Sequence, residues 1–391
     1  MSDQTAIRPD ARIGLIYPKA IGDLVFLLPA LHTLRANMPE ARLLLIAKEK
    51  QAPLAANLAG RVVDKVFATG RRSGFVEAAR ELRRFGADVC VDLAGNDQAG
   101  LVLALAPGRK LRPHRADCRG ACALYTPFAD AVPRLPSGLH RVDELLAIVR
   151  CLCPQAVPAY SFRLYLQDSA VEESERMTAR HALRFGKVIA LNVGASRACK
   201  RWPARHFRSL AEALVENGYR VVIMGSSEFK YDGNYDRTAV LECFSDSFVD
   251  GERCVDLVRN DRLSPTLQLQ RDSHFLRYSG IPLVVVGNDT GPMQIAGSVG
   301  DDARIRTVSL FGPTSWRRYA PYDPERIRSG LPAGGFNLVL AAGDVPCMPR
   351  DGMEACRRYR RHCATAACMT ALRPEVVLEA VMRQADAAVG E

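Results

Sequence analysis

PLVVVGNDTGPMQIA (residues 282–296) sets an apolar run against a polar turn and then a segment of helical character. The run PLVVVG (282–287) has the length and β-branched content of a strand buried on both faces, as in a parallel sheet. Asp289-Thr290-Gly291-Pro292 follows it. Gly291 lets another group approach the backbone closely, and Pro292 suits the first helical turn, where no N–H is needed. Two readings stay open for this turn. Asp289 or Thr290 caps the helix and does nothing more. Alternatively, the free N–H groups at the helix start hold an anion such as a diphosphate.

The same alternation runs through the chain twice. In the first half the strand candidates are RIGLIY (12–17), RLLLIA (42–47), VVDKVF (62–67) and DVCVDL (88–93). In the second they are KVIALNV (187–193), RVVIMG (220–225), RCVDLV (253–258), PLVVVG (282–287) and RTVSLF (306–311). Short apolar runs separated by longer helical ones predict an α/β fold of two Rossmann-like, doubly wound parallel-sheet domains facing each other across a cleft. The stretch CPQAVPAYSFRLYLQ (153–167) breaks the alternation with two prolines and marks the approach to a linker. The expected domains are residues 1–170 and 171–391, the second ending in a Cys/Arg-rich segment, 346–391. The polar stretch 228–252 fits neither domain's pattern.

The chain has 391 residues, 48% of them hydrophobic and 25% charged, ordinary globular proportions. No apolar run reaches the roughly 18 residues of a membrane span. The N-terminus carries acidic residues and lacks the apolar core of a secretory signal, so a cytoplasmic location is expected. The net charge of +10 favours anionic partners. Only eight of the 53 basic residues are lysine, so local clusters say more than the total, and RRYRRH (357–362) is the densest.

Ligands of doubly wound sheets sit beyond the carboxyl ends of the strands, so the loops there are the candidates for chemistry. In YPKAIGDLVFLLPALHTLR, Gly22 permits a tight turn and Asp23 opens a helical segment. Asp23 is read either as a charge complement to the helix start or as a general base kept ionised by it. In IALNVGASRACKRWPARHF, Ser196, Arg197, Lys200 and Arg201 follow a strand, and basic side chains in that place suit a phosphate; a solvated basic loop is the alternative. Glu228, beyond the strand RVVIMG, is placed like a ribose-binding carboxylate.

In this order, IGDLVFLLPAL, GASRACKRWP, GNDTGPMQIA and LFGPT resemble the heptosyltransferases of glycosyltransferase family 9, over residues 12 to about 380. The resemblance implies the GT-B fold, with the acceptor on the N-terminal domain and the nucleotide sugar on the C-terminal one. It implies transfer of heptose from ADP-heptose to a lipopolysaccharide-core hydroxyl with inversion, by a cytoplasmic enzyme touching the inner membrane peripherally. Asp23 would deprotonate the acceptor. Lys200 would pair with the donor diphosphate, with Ser196 beside it, and Glu228 with the ribose. Asp289 would touch sugar hydroxyls, and the backbone at Thr290 and Gly291, ahead of Pro292, would hold phosphate. No cofactor is required in that scheme. Gln294 would also contact the donor; the family commonly carries His there, and glutamine donates a hydrogen bond but cannot become cationic.

Twelve cysteines without a signal peptide do not read as a disulfide framework. Cys347, Cys356, Cys363 and Cys368 fall close together, at spacings unlike paired CxxC motifs. A structural zinc or iron site and reduced packing thiols are the two readings. The arginines beside them suit an anionic glycolipid acceptor. Two other functions remain open: the same donor chemistry on a protein or another glycan, and a non-catalytic metal- or nucleic-acid-binding protein. For the last there is basic charge but no nucleic-acid motif.

Overall fold

The computed structural model describes residues 7–389 apart from 71–73, 115–125, 131, 137, 226–243, 245–247, 258–262, 282, 299–304, 324–335, 344, 348–355, 357–362 and 364. The chain divides into two compact units, Met1–Tyr165 and Leu166–Glu391. Residues 153–167 contain neither helix nor strand.

The first unit holds a five-stranded sheet in the order β3-β2-β1-β4-β5. Its strands are β1 (Arg12–Tyr17), β2 (Arg42–Lys48), β3 (Lys65–Thr69), β4 (Val89–Asp92) and β5 (Arg109–Leu111). All pair in parallel. The apolar runs of β1 and β2 are buried on both faces, which is why they read as continuous rather than alternating. The helix Ile21–Asn37 adds an unbroken buried stretch from Leu24 to Leu31. Each fully buried Leu, Val or Phe there contributes about 1.5–3 kcal/mol.

The second unit holds a six-stranded sheet in the order β11-β10-β9-β6-β7-β8. It consists of β6 (Val188–Asn192), β7 (Arg220–Met224), β8 (Cys254–Asp256), β9 (Leu283–Asn288), β10 (Ile305–Phe311) and β11 (Asn337–Ala341), again all parallel. The helix Ala204–Glu216 buries Phe207, Leu210 and Leu214. These join Trp202 and the C-terminal helix residues Val377, Ala380 and Val381 in one core. In both sheets the strand order reverses once, between β1 and β4 and between β6 and β9, and such a switch point is where ligands bind in folds of this kind.

Three local expectations need correction. The strand expected at 62–67 forms at Lys65–Thr69 instead, because Val62 and Val63 are buried in a turn closed by the Gly60 N–H donating to the Val63 carbonyl (2.8 Å). Gly22 makes no tight turn: the helix begins at Ile21, which puts Asp23 inside its first turn. β5 and β11 were not expected; each is a short strand at the edge of its sheet.

Candidate active site

At the carboxyl edge of the second sheet the loop 193–202, which continues β6, meets the end of β9 and its turn, with Thr314 from beyond β10 beside them. Lys200 Nζ lies 2.6 Å from Asp289 Oδ2, with side chains only 12% and 9% exposed. Thr314, just past β10, donates its hydroxyl to the same Asp289 oxygen at 2.7 Å. Thr290 Oγ1 accepts from Asn192 Nδ2 (2.7 Å) and donates to the Asn288 carbonyl (3.1 Å). The simple capping alternative therefore fails. Thr290 stands at the N-cap of the helix Gly291–Gly297 but makes no side-chain cap, and the Asp289 carboxylate turns to Lys200 and Thr314.

Asn288, not among the expected site residues, is fully buried. It accepts from the Trp202 backbone N–H (2.8 Å) and donates to the carbonyls of Val193 (3.2 Å) and Gly194 (3.1 Å). Three consecutive side chains, at 288, 289 and 290, thus each tie β9 to β6 or the loop that follows it. Pro292 sits in the first helical turn, as its fixed φ favours. Ser196 is exposed on the loop. Gln294 is 2% exposed and turned away into the protein, where its amide donates to the Tyr319 carbonyl (2.7 Å) and its Oε1 has no partner. Glu228 and the arginine cluster 357–362 lie outside the described residues.

The C-terminal cysteines pack beneath this edge. The Cys356 N–H donates to the Pro313 carbonyl (2.8 Å), and Trp202 Nε1 to the Leu372 carbonyl (2.8 Å). A Cβ on Gly312 would overlap the Met369 thioether and press on Cys368 Sγ. Burial pushes the Cys368 thiol up to about 12, and the neighbouring thiols of Cys347, Cys356 and Cys363 act in the same direction. Burial, followed by Cys363, likewise raises Cys199, the residue before Lys200. Both thiols are thereby held protonated at neutral pH. Among the described residues, which include all four cysteines, no group of three or more His, Cys, Asp or Glu is placed to hold a metal ion.

In the first unit, Asp23 is half-buried in the first turn of its helix and accepts from the Ala20 N–H (3.3 Å). Gln51, fully buried, donates to the Ala20 carbonyl (3.1 Å) and accepts from the Lys48 N–H (2.9 Å), which fixes the approach to that turn. Behind it, two buried arginines brace the neighbouring loops. Arg112 Nη1 meets Asp92 Oδ2 at 2.7 Å, while Asp92 Oδ1 accepts from the Gly95 N–H (2.7 Å). Arg141 pairs with Glu144 (2.8 Å) and donates to the Leu93 carbonyl (2.6 Å).

The family model for glycosyltransferase family 9 (heptosyltransferase) matches residues 76–334, a span that includes the loops of Lys200, Asp289 and Thr314. The chain belongs to glycosyltransferase family 9. Asp23 lies before the matched span. Among curated proteins the chain is 33% identical over 212 residues to lipooligosaccharide heptosyltransferase 2 of Haemophilus influenzae, covering 50% of this chain and 56% of that protein. The chain thus spans about half the length of that relative. A solved glycosyl transferase of family 9 from Veillonella parvula superposes with a TM-score of 0.72 at 18% identity, covering 99% of this chain and 100% of that one. The Escherichia coli ADP-heptose lps heptosyltransferase II superposes with a TM-score of 0.64 at 18% identity, covering 96% and 98%. Both have the GT-B fold expected from the sequence.

Within this family 9 chain, Lys200, Asp289 and Thr290, expected at the site, come together in one cluster. Asn192, Asn288 and Thr314 belong to the same cluster and were not among the residues expected there. One signal pointed to the two asparagines: each ends a strand that is otherwise apolar, IALN and LVVVGN. A buried polar side chain at that place must find partners in the loops beyond.

Proposed function

We propose that the protein is an inverting heptosyltransferase, moving heptose from ADP-heptose to a hydroxyl of a lipopolysaccharide-core-type acceptor. The observation that supports this most is the buried Lys200–Asp289–Thr314 cluster at the β6/β9 switch point of a family 9 chain. Residues 1–170 would bind the acceptor and residues 171–391 the nucleotide sugar. Asp23 takes the proton from the acceptor hydroxyl as its oxygen attacks the anomeric carbon. The bond from that carbon to the diphosphate breaks, and ADP leaves with the electron pair. Negative charge grows on the departing diphosphate, so the Lys200 ammonium matters most in the transition state. Ser196 and the Thr290 and Gly291 backbone, ahead of Pro292, contact the donor phosphates. Glu228 binds the ribose, and Asp289 binds sugar hydroxyls while orienting Lys200. Gln294, expected among the donor contacts, is buried with its amide on the Tyr319 carbonyl and takes no donor contact in this scheme.

No helix among the described residues is long and apolar enough to cross a membrane. In our proposal the enzyme works in the cytoplasm and meets its anionic glycolipid at the inner-membrane face. The test is incubation of the folded protein with ADP-heptose and a truncated core glycolipid. ADP release and a product heavier by one heptose are expected. If neither appears with protein of verified fold, the proposal is wrong; product on a peptide or another glycan alone would keep the chemistry and change the acceptor.

A further inference from the structure

The loop that carries Lys200 leaves the sheet at Val193 and returns at Trp202, with no strand or α-helix between them, only the single 3-10 turn Ala198–Lys200. Such a loop does not place an ammonium group by itself. Its two ends, however, are both bonded to one side chain. Asn288 donates one amide hydrogen to each of the Val193 and Gly194 carbonyls and accepts the Trp202 N–H on its oxygen. Only an amide fits that set of partners: a carboxylate has no hydrogens for the two carbonyls, and an aliphatic side chain leaves all three groups unpaired. Asn288 is fully buried, so water does not replace a missing bond there. The next residue along the chain, Asp289, is the group that Lys200 meets. Lys200 is thereby fixed from both directions by adjacent residues of β9 and its turn, one holding the loop's base and one its tip.

We propose that Asn288 is a positioning residue for donor binding: it closes the base of the 193–202 loop and so holds Lys200 where the donor diphosphate binds. This rests on the assignment of Lys200 to the diphosphate made above. Asn288 itself does not touch the donor. Its contribution is preorganisation, which removes the need to order the loop at the moment of binding.

The experiment measures ADP affinity by calorimetry and thermal stability for the full-length protein and for N288D, K200M and the N288D/K200M double variant. N288D keeps the side chain's size but turns an acceptor on two carbonyls. It is expected to weaken ADP about tenfold alone and less than about threefold when Lys200 is already gone, because coupled residues are non-additive. If N288D does not fold, Asn288→Ser, which removes the amide without adding charge, is read in the same way. Lower stability with ADP affinity unchanged would show a purely structural role and overturn the proposal. So would an equal loss in the presence and absence of Lys200. If K200M itself leaves ADP affinity unchanged, the diphosphate assignment fails, and the positioning role fails with it.

Discussion

Replacing Lys200 with methionine separates its structural role from its catalytic one. The substitution keeps most of the side chain's bulk and removes the charge that sits 2.6 Å from Asp289 Oδ2. Removing one partner of a buried pair strands the other charge and costs about 3–5 kcal/mol. Asp289 retains its bond from Thr314, and about a tenth of each side chain still reaches solvent, so the low end, about 3 kcal/mol, applies. For a unit of this size that is a fall in Tm of about 6–12 °C. Transfer should fall by about a hundredfold, the usual effect of losing one donor to a developing oxyanion. The double variant K200M/D289N tells the two effects apart. With no charge left stranded, most of the lost stability should return, whereas transfer should stay low. Thermal melts and initial rates of ADP release measure both. Recovery of transfer together with stability would refute the reasoning, because Lys200 would then matter only as Asp289's counter-ion.

Asp23→Asn should abolish transfer while leaving ADP affinity within about twofold in calorimetry; a collapse of ADP binding would remove Asp23 from the role of base. Thr314→Val should cost about 1.5–3 kcal/mol in urea unfolding, because it deletes a hydrogen bond to a charged, buried carboxylate and keeps the shape. Asp250 gives a pH prediction. Desolvation pushes its carboxyl up, but the backbone N–H groups of Glu252, Cys254 and Arg253 and the Arg253 guanidinium outweigh that and bring it down to about 2. A carboxylate whose folded value is depressed adds stability above its unfolded value, and that stability is lost as pH falls from about 4 towards 2. Asp250→Asn should flatten the acid limb of the urea midpoint over that window, and an unchanged limb would show that Asp250 contributes nothing to it.

Much of the fold was legible because parallel strands covered on both faces keep long apolar runs, as RLLLIA and PLVVVG do. The two strands that escaped notice lie at sheet edges and lack that signature. β5 is only Arg-Lys-Leu, and β11 keeps four of its five residues partly exposed. The site was less legible, for a topological reason. Lys200 and Asp289 are far apart in sequence and touch because β9 inserts beside β6 rather than beside β8. Nothing in either loop's own residues encodes that neighbourhood, so each loop taken alone kept its simpler explanation.

The cap explanation of Asp289-Thr290 fails on the same topology. A helix following a strand at the end of a sheet ordinarily draws its N-terminal partners from the residue before it. Here Thr290 makes no cap, because its hydroxyl is already committed to Asn192 and the Asn288 carbonyl, and Asp289 is committed to Lys200. Both commitments point sideways along the sheet edge, towards β6, and the Asn288 amide points the same way. Side chains that forgo local bonds worth about 1 kcal/mol each are held by partners that matter more. Asn288 and Asp289 both reach the loop that carries the one lysine between Lys187 and Lys230, and Thr290 reaches Asn192, the strand residue from which that loop departs. A sheet that needed only to be stable could end these strands in ordinary caps; one that must present an ammonium group in a fixed place needs the loop held at its base and its tip.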